Sequence, residues 1–438
     1  MTPRILGAII ALSLPMPALA AVEIKEITTP GGIEVWLVEE HSIPFTAIEL
    51  QFEGGANEDK PEARGATYLM TGLLEEGAGD MDARAFAEAE ETLAARTSFN
   101  AANDSVTIGL SFLTENRDAS IDLMRAALTN PRFDADAVER VREQVLAGLA
   151  GDARDPNEIA ARTFSAMSFP SHPYGSAMKG TPETVAALSI ADLREAHARA
   201  LTRDRVKVGV TGDITAEELA PLLDRLLGDL PESDAADVPA ITTVLGGGVT
   251  VVDFPSPQSV VLFGQEGIAF EDPDYFAAFI LNHILGGSGF QSRLMTEVRE
   301  KRGLTYGIGT YLAPRDKAEQ LLGQFSSSND KAAEAIEIVR DEWARISSEG
   351  VTAEELDAAK TYLTGAYPLR FDGNSRIAGI LTGMQSIGLP VDYIPTRNDR
   401  IEAVTLDDIS RVAARLLDPA KLHFVVVGQP EGLESGSF

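Results

Sequence analysis

The chain has 438 residues, 44% apolar and 24% charged, the balance of a globular protein long enough for two or three cores. Its 67 acidic residues outweigh 37 basic ones, and the net charge of −30 disfavours nucleic-acid or anionic-membrane partners, which need concentrated Lys and Arg. Cysteine is absent, which excludes disulfides, thiolate catalysis and Cys-ligated metals.

Residues 1–20 read as a secretory signal peptide, with Arg4, an apolar run over 5–14 and the small-residue cleavage site Ala18-Leu19-Ala20. That run is too short for a lasting membrane span. Cleavage is expected after Ala20, leaving an exported, soluble chain. A strand at 33–38 is followed by one at 47–52, where Glu49 and Gln51 alternate with apolar residues as on a half-buried strand. Helices are expected at 65–74, 83–93, 117–128 and 135–149, the third capped near Asn116 and stopped by Asn130-Pro131. Residues 106–112 and 206–210 are further strands. Strands interspersed with helix pairs, without strict alternation, point to an α+β class.

The pattern then repeats. Ser189-Ile190-Ala191-Asp192-Leu193 leads to a strand ending at Gly212, and Thr405-Leu406-Asp407-Asp408-Ile409 leads to one ending at Gly428, both pairs 216 positions apart. Residues 21–230 and 245–438 are therefore expected to be related domains, each an antiparallel-rich sheet packed with several helices. The acidic stretch 231–244, with Pro231 and Pro239, has linker chemistry.

Within the second half, residues 285–311 concentrate the chemistry. Leu294, Met295 and Val298 set an apolar helical pattern that carries Arg299, Gly303 breaks it, and a Tyr/Ile/Tyr strand follows with Tyr306. A guanidinium and a phenol held near each other can bind a peptide carbonyl or a developing oxyanion. The competing reading places Arg299 on a solvated basic face with Lys301 and Arg302. The Gly287-Ser288-Gly289 cluster follows a helical pattern rather than a strand, which argues for a turn between helices and against a phosphate loop.

The five histidines, His41, His172, His197, His283 and His423, are too dispersed for HxxEH or HxxxH. His197 is expected on an exposed helix, His283 in the core or at its rim, His172 in a turn, His41 in a loop and His423 in the last strand. Glu75-Glu76 falls at a helix end, where carboxylates oppose the dipole and need solvent or a cation; solvent is the simpler expectation. No GxSxG elbow is present.

The whole mature chain, about 22–430, resembles the pitrilysin/insulinase-type zinc metallopeptidases, in their processing-peptidase-like branch. The resemblance is carried by the two-half layout, by 65–79, by Leu128-Thr129-Asn130-Pro131-Arg132-Phe133, by His172-Pro173-Tyr174-Gly175 and above all by 292–308, SRLMTEVREKRGLTYGI. It implies half of a clamshell enclosing a peptide. Active members carry HxxEH and a downstream Glu as zinc ligands and base. Laid on this chain, those positions fall at Tyr68, Thr71, Gly72 and Gly148, and none keeps the family residue. The resemblance therefore implies no metal and no cofactor bound by this chain, and no peptidase activity alone. Arg299 and Tyr306 keep the family spacing, which reverses the surface reading of Arg299. The resemblance implies a heterodimer in which an HxxEH-bearing homologous subunit supplies zinc, and Arg299 and Tyr306 act in trans on a peptide or unfolded polypeptide. A non-proteolytic assembly subunit and a peptide-capturing homodimer are the alternatives. With the signal peptide, the resemblance implies a periplasmic location, secretion being the second option.

Overall fold

The structure, a computed structural model, describes residues 23–234, 237–287 and 291–436; the expected signal peptide lies outside them. The strands in the first half are β1 (Lys25–Thr28), β2 (Glu34–Glu39), β3 (Phe45–Glu53), the short pair β4 (Gly77–Ala78) and β5 (Met81–Asp82), β6 (Arg96–Ala101), β7 (Ser105–Leu113) and β8 (Val206–Gly212). In the second half they are β9 (Gly248–Asp253), β10 (Gln258–Glu266), β11 (Ile308–Pro314), β12 (Glu319–Ser328) and β13 (His423–Gly428).

Two large sheets result, with the orders β1-β2-β8-β3-β7-β6 and β9-β13-β10-β12-β11. Apart from the extra hairpin strand β1, one is a copy of the other. In each, a single parallel pair (β2 with β8, β13 with β9) joins an otherwise antiparallel ladder. The α+β class and the two homologous halves follow directly.

The period-2 pattern sets the inner faces. On β3, Ile48, Leu50 and Phe52 are at most 1% exposed and pack with Ile108 and Leu110 of β7 and Val208 and Val210 of β8. At about 25 cal/mol per Å², each such side chain contributes roughly 1.5–3 kcal/mol. The equivalent core of the second half gathers Phe263, Phe325, Trp343 and Phe424. Three expected helices appear at Ala83–Leu93, Arg117–Thr129 and Ala135–Asp152. The first is shorter than its pattern, only Ala66–Thr71, because a left-handed Gly65 (φ 97°) precedes it and the chain turns from Gly72 onward. Asn116 does not cap the third with its side chain, which donates instead to the Leu93 carbonyl (2.8 Å).

Each half lends a helix to the other's sheet. Pro156–Ser168 lies on β10 and β13, while Asn374–Ser386 lies on β3 and β8. The strands beneath are therefore covered on both faces, and in the second half they read as continuous apolar runs, as in Val425-Val426-Val427 of β13. Val425 and Val427 meet Ile159 and Phe164, whereas Phe424 and Val426 face the second core. Gly209 permits the reciprocal contact, since a Cβ there would lie 2.3 Å from the Ala378 carbonyl oxygen. The Asn374 and Gln385 amides bind the Phe45 (3.1 Å) and Val208 (2.9 Å) carbonyls. The Pro-bounded connection is also pinned, with Ile241 N donating to Lys317 O (2.7 Å) and Val244 N to Ser168 O (3.0 Å). No helix among the described residues is long and apolar enough to cross a membrane.

Candidate functional site

The Arg299 segment is built by backbone geometry. Residues Met295–Glu300 form wide π-type turns, with Leu294 and Val298 fully buried beneath them. Gly303 (φ 62°) takes the left-handed conformation that ends them; its amide donates to Arg299 O (2.8 Å) and the Leu304 amide to Val298 O (3.0 Å). Behind the turn, buried Glu297 accepts from Lys301 (2.6 Å) and Arg302 (2.7 Å), and those cations hold its carboxyl below the usual range. The expected basic face is thus divided: Lys301 and Arg302 serve the scaffold, and Arg299 points elsewhere.

Tyr306 precedes β11 by two positions instead of lying within it. Its neighbours are tied down: the Thr305 hydroxyl lies 2.7 Å from the Ser326 carbonyl and accepts from the Gly307 amide (3.2 Å). The Tyr306 ring itself is 90% exposed, yet the Arg299 guanidinium carbon lies over it at 5.1 Å from the ring centroid. An exposed cation–π contact contributes only about 0.5–1 kcal/mol, and the ring buries almost no apolar surface. Folding does not require this tyrosine. Beside it opens a cleft of 510 Å³ reaching Gly286, Tyr311, Gln324 and Asn157, the last from the helix lent by the first half. Gly287 lines the cleft, whereas Ser288 and Gly289 of the glycine cluster lie outside the described residues. The π-type turn His283–Gly287 follows the helix Tyr275–Asn282, consistent with a turn between helices.

The first-half positions are different in kind. Tyr68 is half-buried on the short helix, and Thr71 is buried with its hydroxyl donating to the Thr67 carbonyl (2.8 Å). Gly72 ends the helix against Val141, and Gly148 is exposed with open space around it. Two glycines and a threonine spent on its own helix offer no imidazole or carboxylate, so a tetrahedral zinc site does not fit these residues. Among the described residues no three His, Asp or Glu side chains converge in a metal-binding group. The helix is held by structure alone. Asp59 accepts from the Gly65 and Thr67 amides (3.1 and 3.2 Å) and the Thr67 hydroxyl (2.6 Å), and pairs with Arg199 at 2.6 Å. The sequence carried no local sign of this network, because its members lie up to 140 positions apart.

The histidines have structural duties. His197, expected on an exposed helix, is half-buried: its Nε2 lies 2.8 Å from the Leu128 carbonyl and its ring meets Phe133 edge-on. The helix is exposed only on its other side, which the pattern alone did not resolve. His172 accepts from the Tyr174 amide (3.1 Å) and sits 3.0 Å from the Pro239 carbonyl. His283 is buried and stacked on Tyr362; His423 binds Thr250 and Gly246. His41 is exposed and hydrogen-bonded to Asp213 (2.8 Å). Glu76, expected to rely on solvent, has a cationic partner in Arg140, while Glu75 is exposed.

Residues 34–181 match the family model described as insulinase (peptidase family M16), and 187–363 match the one described as the peptidase M16 inactive domain. A non-peptidase homologue, YmxG, of Helicobacter pylori is 26% identical over 417 residues, 95% of each chain. A probable mitochondrial-processing peptidase subunit beta of Schizosaccharomyces pombe is 24% identical over 93% of this chain and 91% of its own. The crystal structure of a peptidase M16 inactive domain from Pseudomonas fluorescens superposes with a TM-score of 0.87 at 28% identity, covering 95% of this chain and all of that one. A Helicobacter pylori protease structure shares the fold, with a TM-score of 0.83 at 16% identity over 93% and 99% of the two chains.

Proposed function

The chain belongs to the insulinase (M16) peptidase family, and from that premise we propose that it is the non-zinc subunit of an exported, two-chain zinc endopeptidase. Its likeness to a non-peptidase homologue and to an inactive M16 domain fits a non-catalytic subunit. The observation that carries the finer reading is the Arg299–Tyr306 pair, a half-buried arginine over the ring of an exposed tyrosine that lines a cleft.

An HxxEH-bearing homologous subunit would supply zinc-activated water and a carboxylate base. This chain's part is to hold the substrate. Arg299 and Tyr306 donate hydrogen bonds toward the scissile carbonyl and then the tetrahedral oxyanion. Both side chains suit that task, since a guanidinium carries five N–H donors and a phenol an O–H donor. The peptide binds extended, adding a strand to a sheet edge; β6 and β11 each end their sheet with one unpaired side.

The test is peptide cleavage by the mixed complex carrying Arg299→Ala or Tyr306→Phe. Loss of one oxyanion donor is expected to lower kcat by about 10²–10³, with subunit association intact. Unchanged turnover in both variants would sink the assignment and favour an assembly subunit, the reading that the likeness to a non-peptidase homologue also supports.

A further inference from the structure

A second cleft, of 310 Å³, lies away from Tyr306, between the helices Tyr275–Asn282, Asn374–Ser386 and Tyr393–Ala403. Its walls are aromatic. Tyr275 and Phe279 are stacked with centroids 6.3 Å apart, Phe270 lies 4.4 Å from Tyr275, and Tyr393 lies 6.4 Å from Phe270. A volume near 300 Å³ with a few polar groups set in apolar walls is the form of a small-molecule site.

The charges in this cleft are unusual for so acidic a chain. Arg397 lines it and is only 5% exposed. The guanidinium lies 4.3 Å from the Tyr367 centroid and 5.7 Å from that of Phe279, and its Nη1 donates to Leu363 O (2.9 Å) and Asn398 Oδ1 (3.1 Å). Among the described residues no carboxylate pairs with it, although a buried cation is ordinarily matched by one. Arg370 lines the same cleft, exposed, and it too pairs with no carboxylate among the described residues. A guanidinium carries five N–H donors, of which Arg397 directs two to Leu363 O and Asn398 Oδ1 while also engaging Tyr393. Burial pushes the hydroxyls of Tyr275 and Tyr367 up to about 12, which keeps them neutral donors. Asp272 and Asp274, close in sequence to the lining residues Phe270 and Tyr275, are engaged elsewhere, Asp272 with Arg415 (2.6 Å) and Asp274 with Arg411 (2.5 Å).

We propose that this cleft binds a carboxylate attached to a bulky apolar group, the carboxylate on Arg397 and Arg370 and the apolar body among Tyr275, Phe279 and Tyr393. A free aromatic acid and the C-terminal residue of a peptide share that chemistry. A planar guanidinium with open donors matches a carboxylate bidentately, and the aromatic walls supply the area that a lone ion pair lacks. An anionic ligand would also supply the counter-charge that Arg397 lacks. The proposal stands apart from the Arg299–Tyr306 reading and holds for the chain by itself.

Calorimetry on the full chain tests it with N-acetylphenylalanine, its amide, and a short peptide ending in phenylalanine with a free carboxylate. The acid is expected to bind at least about tenfold more tightly than the amide, as loss of a charge-assisted bidentate pair requires. Arg370→Gln, at an exposed position, is expected to cut that preference severalfold with the thermal midpoint unchanged. Arg397→Met is expected to abolish it. Binding of the peptide alone identifies chain termini as the ligand, and binding of the free acid identifies a small molecule. Equal affinity for acid and amide, or no saturable binding by either carboxylate, overturns the proposal.

Discussion

The short helix Ala66–Thr71 and the Arg299–Tyr306 turn sit in halves with the same strand order, yet their side chains have met opposite fates. In the first half, Thr71 bonds its own helix, Gly72 carries no side chain and Asp59 locks the helix start. In the second, an ion-pair cluster around buried Glu297 and two tied residues hold a tyrosine that is 90% exposed and an arginine over its ring. One helix has its side chains absorbed by the fold; the other turn leaves Tyr306 outside it.

Putting ligands back tests that contrast hardest. Tyr68→His, Thr71→Glu, Gly72→His and Gly148→Glu together should restore zinc uptake. A Cβ at Gly148 meets nothing within 4 Å, and one at Gly72 meets Val141 at 3.4 Å. Micromolar binding corresponds to about 8 kcal/mol and should appear as metal retained on gel filtration and a zinc-dependent rise in Tm. A quadruple variant that folds without taking up metal would mean the helix frame, as well as the ligands, has been lost.

Asp59→Ala should come next in size. Removing one partner of a buried ion pair costs about 3–5 kcal/mol, and chemical denaturation should show that loss. A change under about 1 kcal/mol would mean the Asp59–Arg199 pair does not hold the first-half helix.

Acid should act on both halves alike. Burial pulls His172, His197, His283 and His423 below the usual imidazole value, which disfavours their protonation in the folded state. Their contribution is therefore present above about pH 6.5, the unfolded value, and is lost as pH falls below it, when the unfolded chain binds the extra protons. Exposed His41, raised by its hydrogen bond to Asp213, opposes this weakly. Thermal midpoints should drop from pH 7 to pH 5; a flat profile would show that burial does not set the titration of these imidazoles.

The smallest expected effect is also informative. Tyr306→Ala should change stability by no more than about 1 kcal/mol, the size of the exposed cation–π contact it removes. A loss of 2 kcal/mol or more, the size expected of a packed side chain, would place Tyr306 in the structural class and blur the contrast.

Much of this was legible in the sequence for physical reasons. Alternation marked β3 because Glu49, Gln51 and Glu53 share a face that is only half-buried, and the 216-residue offset exposed the repeat because both copies end a buried strand at a glycine. The Arg299 and Tyr306 pair was legible only through its resemblance to a family motif; composition alone favoured a basic surface. The exchange of helices was not legible. Ile159 and Phe164 declare that their helix needs an apolar partner, but nothing local says that the partner sheet is encoded about 100 residues later. His197 was misplaced for the same reason, since Leu128 and Phe133 come to it only through the fold.

The most direct test of complementation is peptide cleavage in three samples: this chain, an HxxEH-bearing homologous subunit, and their equimolar mixture with zinc. Activity in the mixture alone is the predicted result. Activity of this chain alone, or an inert mixture in which the two subunits remain stably associated, would contradict the account.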